Sequence, residues 1–208
     1  QPEDFGKLRP SQGTETWISV VLVFALLIAS LIRWRYYNRV KTLMDAFLLN
    51  RFVSQIVREE NVFLNRVNLL LSVLYLLIVS LFAYLSMDVL GLHMLSSLSP
   101  PLVFLVIGGG LTALFMLKML VVIISGYIFD QGRAAAEYVF SIFLYNQMAA
   151  LMLIPVLVAL LYTRLIDPYY LVLAGSALLV FFYLFRLFRI VTGGLASPSV
   201  SVYYLFLY

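Results

Sequence analysis

The chain of 208 residues has no cysteine and a single histidine, His93. Without thiols it can build neither a disulfide frame nor a thiolate metal site. One histidine leaves little room for a metal or haem centre, and no cofactor is expected. Charge is also scarce, at 12% of residues against 63% hydrophobic, a balance that excludes an ordinary soluble domain and belongs to a polytopic membrane protein. Catalytic signatures are missing too: there is no Gly-x-x-x-x-Gly-Lys, no His-Glu-x-x-His and no Gly-x-Ser-x-Gly. The adjacent acids Glu59 and Glu60 would point to different faces of a helix, which is poor geometry for acid–base work. Internal repeats are not evident, so the inverted halves common in secondary transporters find no support.

What is present is a series of apolar runs separated by basic loops. Spans are expected at about 17–32, 67–87, 101–124, 137–162 and 169–185, with an incomplete sixth run at 202–208. Residues 1–16 are polar and rich in turn formers, and they read as an extramembrane lead. A chain beginning with glutamine is expected to have lost a preceding segment, and a tail of seven apolar residues is expected to be cut short. The fold class is therefore all-α: a polytopic transmembrane helical bundle of five complete spans and the start of a sixth.

Orientation follows from Arg33 to Arg66, which holds seven of the basic residues between two spans. Basic excess in a short loop marks the cytoplasmic side. With that loop inside, the inner face collects eleven basic residues, and the outer face has Lys7, Arg9 and Arg164. The N-terminus is then periplasmic. The net charge of +4 is explained by topology and anionic headgroups, not by nucleic acid. Within this loop, Val40, Leu43, Met44, Phe47, Leu48, Phe52 and Ile56 recur at helical spacing, opposite Arg39, Lys41, Asp45, Asn50 and Arg58. Residues 38–60 are thus expected to form one amphipathic cytoplasmic interfacial helix. Its candidate docking residues are Leu43, Phe47, Asn50, Arg51 and Phe52, although a topology-fixing connector explains the same pattern. His93 lies in the outer loop between Asp88 and Pro100, where a lone histidine is usually solvated or bonded to backbone.

Inside the spans the polar residues are few. Gly108-Gly109-Gly110 falls at mid-membrane, where glycine permits close helix contact or a break in the helix. Lys118 lies near the cytoplasmic end, where it can snorkel, but an intramembrane charge is a candidate site by default. Asn146 and Gln147 form an amide pair that interhelical hydrogen bonds would explain. The candidate polar cluster is Lys118, Asp130, Arg133, Glu137, Asn146 and Gln147, with Lys118 or Arg133 expected to pair with Glu137. Pro155 is expected to kink the outer half of its span. Arg186 and Arg189 read as the cytoplasmic flank of the fifth span.

Several short stretches carry a resemblance. They are Phe47-Leu48-Leu49-Asn50-Arg51-Phe52, Asn146 with Pro155 nine residues on, Tyr183-Leu-Phe-Arg186-Leu-Phe-Arg189, and the terminal Ser201-Val-Tyr-Tyr-Leu-Phe-Leu-Tyr208. Together they resemble a family of integral membrane proteins from Bacteroidota that carries a domain of unknown function. In that family the last run continues through a Glu-Ile-Leu-Pro-like element. The resemblance implies an inner-membrane location and a shortened C-terminus, and brings no activity.

The leading expectation is a non-enzymatic inner-membrane subunit or assembly partner of a larger envelope complex. Its partners would be the lipid bilayer and other membrane subunits, with no nucleic acid. The alternative is a small transporter or lipid-handling protein with a polar site in the cytoplasmic half of the membrane. The absence of native cysteine makes the orientation directly measurable. Ser97→Cys is expected to react with a membrane-impermeant maleimide on intact cells, and Ser54→Cys only after permeabilisation; the reverse pattern would invert the topology.

Overall fold

The computed structural model describes residues 16–35, 37, 66–92, 98–130, 132–163 and 166–194. Among them the regular structure is entirely helical: α1 (Thr16–Arg35), α2 (Arg66–Val89), α3 (Pro100–Ile128), α4 (Gly132–Tyr162) and α5 (Pro168–Gly194). All five are long and apolar enough to cross a membrane. Even α1, with 20 residues, reaches about 30 Å, the thickness of a hydrocarbon core. Helix is the form this composition dictates, because hydrocarbon offers no partner to a backbone N–H or C=O outside its own segment. The hydroxyls inside the spans obey the same rule. Ser72, Ser80, Ser86, Thr112, Ser125 and Ser141 each donate to the carbonyl four residues back, at 2.6–2.9 Å.

Local sequence sets the helix ends. α2 stops in a Schellman motif: Gly91 takes φ 67, and the Leu92 amide donates to the Met87 carbonyl at 2.9 Å. Pro100 and Pro101 open α3, where a missing N–H costs nothing. Asp167 caps α5, its Oδ1 accepting from the Tyr169 amide at 3.0 Å. Between α3 and α4 the chain turns through Asp130, at φ 52.

The helices run further than the apolar runs. The segment 125–136, expected as a loop, is helical to Ile128 and again from Gly132. Ser125 stays helical by donating to Val121, and the alanines at 134–136 are strong helix formers. α5 likewise continues past Phe185 to Gly194, drawing Arg186 and Arg189 into the helix. Pro155 sits within one continuous helix, α4. The lead up to residue 15, the segment 38–60 with its docking residues Leu43, Phe47, Asn50, Arg51 and Phe52, His93, and the run 202–208 lie outside the described residues.

Helices consecutive in the chain pack antiparallel, and α2 and α4 run parallel, along seams of alternating three- and four-residue spacing. On α1 the seam is Ile18, Leu22, Ala25 and Ile32; on α2 it is Leu71, Leu74, Ile78, Leu81 and Leu85. Trp17 packs against Tyr84 and Phe104, with ring centroids 5.2 and 5.6 Å apart. The Tyr162 hydroxyl donates to Ser19 Oγ at 3.3 Å, which joins α4 to α1. α2 and α4 form the centre: half of the α4 span is buried (50%), against 11% for α3. Apolar side chains gain little by leaving lipid for protein, so close van der Waals fit holds these seams. The tightest approach is at Gly175 on α5. A Cβ there would lie 2.6 Å from Phe82 Cζ and 3.3 Å from Val156 Cγ1.

That contact gives a mutational contrast. Gly175→Ala is expected to destabilise the bundle by ~1–3 kcal/mol through overpacking. Gly110→Ala, with nothing within 4 Å of its new methyl, is expected to be neutral or to stabilise by up to ~1 kcal/mol. Thermal unfolding of both variants in one mild detergent checks this, and equal midpoints would refute the Gly175–Phe82 contact.

Candidate functional site

The site begins with the seam of α5. Val172, Gly175, Leu179, Phe182, Arg186 and Arg189 follow one another at three- and four-residue spacing, so they share the inward face. The first four are small or apolar; the fifth is a guanidinium. Arg186 is only 4% exposed, and its Nε and Nη2 have no hydrogen-bond partner. It lies eight residues inside the Gly194 end of α5, about 12 Å along the axis. Its guanidinium carbon is 5.2 Å from the centroid of the Tyr183 ring.

Ring contacts tie three helices together. Phe115 of α3 bridges Tyr75 of α2, at 6.4 Å, and Phe143 of α4, at 5.7 Å. Because α3 and α4 run antiparallel, Lys118, one turn beyond Phe115, and Gln147, one turn beyond Phe143, lie on opposite sides of this contact along the bundle axis. On the α5 side, Arg189 Nη1 donates to the Tyr145 hydroxyl at 3.1 Å, and the Tyr145 ring lies 6.0 Å from Phe185. Neither Arg186 nor Lys118 makes an ion pair with a carboxylate among the described residues. An unpaired guanidinium in so apolar a setting is costly, so the arrangement favours an anion that completes it.

The structure divides the residues singled out from sequence. Lys118 is exposed on α3. Gln147 is 1% exposed, with Nε2 and Oε1 both lacking a partner. Asn146, its half-buried neighbour, points about 100° away around α4. Asp130 is exposed in the α3–α4 turn. Glu137 is half-buried two turns earlier on α4, and Arg133 lies in the first turn of α4. Gln147 and Arg186 are thus the buried side chains with unpartnered polar atoms among the described residues, whereas Lys118 and Asp130 are exposed. Arg186 had the look of a membrane flank, yet its register with Val172 and Gly175 was the signal that it faces inward.

Five membrane-length helices define an integral membrane protein, and no group of three or more His, Cys, Asp or Glu that could hold a metal ion occurs among the described residues. Residues 18–208 match the model of the family described as a domain of unknown function, DUF4271, and the chain belongs to that family. No curated protein and no solved structure matches it.

The unpartnered amide yields a stability test. Gln147→Met keeps the volume and removes two unsatisfied polar groups, so it is expected to stabilise the bundle by about 1–3 kcal/mol. A lower unfolding midpoint for this variant would show that the amide makes bonds in the membrane.

Proposed function

We propose that this chain is a non-enzymatic subunit or assembly partner of a larger complex in a bacterial inner membrane, with its N-terminus periplasmic. The observation that carries this reading is the outward face of α3. Only 11% of that span is buried, and its open side presents Val106, Gly109, Gly110, Ala113 and Leu117. Gly109 and Ala113 form a small-xxx-small pair, the pattern that lets a second membrane helix approach closely. Gly108, by contrast, is used inside the bundle, 3.3 Å from Ser80 Oγ. The glycine triplet thus serves two directions, one toward α2 and one toward the membrane. A second reading, a lipid-handling protein, is favoured by Arg186, a buried cation without a counter-charge on the cytoplasmic side of the proposed topology.

The subunit reading is tested by a mild-detergent pull-down of the full-length protein from its native membrane. A stoichiometric membrane partner is expected with the natural protein. The double variant Gly109→Leu with Ala113→Leu is expected to lose that partner while keeping the unfolding midpoint of the natural chain. Recovery of the natural protein alone would sink the reading.

A further inference from the structure

Three rings fix a common depth for α1, α2 and α3. Trp17 packs on Tyr84 and Phe104, with centroids 5.2 and 5.6 Å away, so the three residues lie at one level of the bundle. From that level α1 reaches Arg35, and α2 reaches Arg66, after about 27 Å of helix. Lys118 of α3 falls slightly short of the same depth, at about 21 Å. Basic residues on three helices thus mark one edge of the hydrocarbon. α3 does not stop there. It runs about 36 Å from Phe104 to Ile128, so its end stands about 9 Å beyond Arg35 and Arg66. What it carries past that edge is apolar: Ile123, Ile124, Tyr127 and Ile128 are exposed, Tyr127 by 89% and Ile128 by 69%. An apolar patch outside the hydrocarbon marks a surface that another molecule covers.

The patch continues the open side of α3. Leu102, Val106, Gly109, Ala113, Leu120 and Tyr127 are all exposed and fall within about 40° of one line along the helix. Lys118 is turned about 160° from that line, so this side carries no charge. Two features choose the occupant. A helix of ordinary bilayer length would leave Tyr127 and Ile128 bare, whereas a second α3 carries the same overhang. Copies inserted in one orientation also present α3 parallel, and a two-fold axis along the membrane normal sets each residue against its own counterpart. Gly109 and Ala113 then meet Gly109 and Ala113, so both helices are thin at the same depth, and the two lysines stay apart.

We propose that α3 packs against α3 of a second copy, parallel and in register, from Leu102 to Tyr127. This rests on the reading of α3 as a partner face and names the molecule that meets it. Any further subunit then joins the pair.

The test keeps the full chain in its native membrane. A photo-crosslinking amino acid, p-benzoylphenylalanine, replaces Leu120. Irradiation is expected to yield an adduct of twice the chain's mass that contains this sequence alone. The chain has no cysteine, so single substitutions then read the register. Under copper-phenanthroline oxidation, Leu102→Cys and Tyr127→Cys are expected to form disulfide-linked dimers. Leu114→Cys, exposed but turned about 120° away, is expected to form none. Adding Gly109→Leu with Ala113→Leu should lower the Tyr127→Cys dimer yield by about tenfold or more. The cysteine pattern is read on the natural face, so it decides the matter even where the double variant fails to fold. An adduct with a different protein overturns the second copy and leaves the partner face of α3 standing. A homodimeric adduct with no other subunit in the pull-down keeps the pair and sinks the larger complex. No protein adduct, or equal disulfide yields at Leu102, Leu114 and Tyr127, overturns the proposal and leaves α3 to lipid.

Discussion

The backbone of a membrane-spanning chain cannot look to solvent for hydrogen bonds, and the rest of this structure depends on that constraint. It makes each span a helix and keeps each helix unbroken across the hydrocarbon. It also turns the serines of α2 back onto their own carbonyls, leaving them few bonds to offer other helices. Cohesion between helices then falls to shape. Leu74, Ile78 and Leu81 are sealed on α2, and Gly175 admits the Phe82 ring where any side chain would collide. These contacts repeat at three- and four-residue intervals, so one stripe of each helix is committed and the remainder is left to lipid or to partners.

Against so economical a background, the two buried polar groups without partners stand out. Gln147 and Arg186 break the general rule that buried polar groups are satisfied. The same apolar packing that excludes water from them makes any bond they form strong and any vacancy costly. Arg189, bonded to Tyr145, shows how an arginine in this setting is held when the chain supplies its partner.

Much of the architecture was legible in the sequence because hydrophobicity over twenty residues is a strong signal for a span. Each of the five helices overlaps an apolar run read from composition alone. Helix ends were less legible. Hydropathy marks where lipid stops, whereas Ser125, the alanines at 134–136 and the arginines of α5 are all compatible with continued helix. The site was legible in part: Gln147 stood out as a polar residue in apolar surroundings. Arg186 was obscured because an arginine at the end of a run looks like an anchor. Its meaning lay in phase, since position 186 continues the stripe of Val172, Gly175, Leu179 and Phe182. Asp130, near these residues in sequence, sits in the α3–α4 turn.

The central position of α4 also has a consequence for how the protein is made. Half of its span is buried, and it carries Asn146 and Gln147 on different faces. α4 leaves the ribosome before α5, the helix that covers much of it. For the time needed to translate α5, its least lipid-compatible surface has only the earlier helices for shelter. Burial of α4 is therefore complete only once α5 has been made.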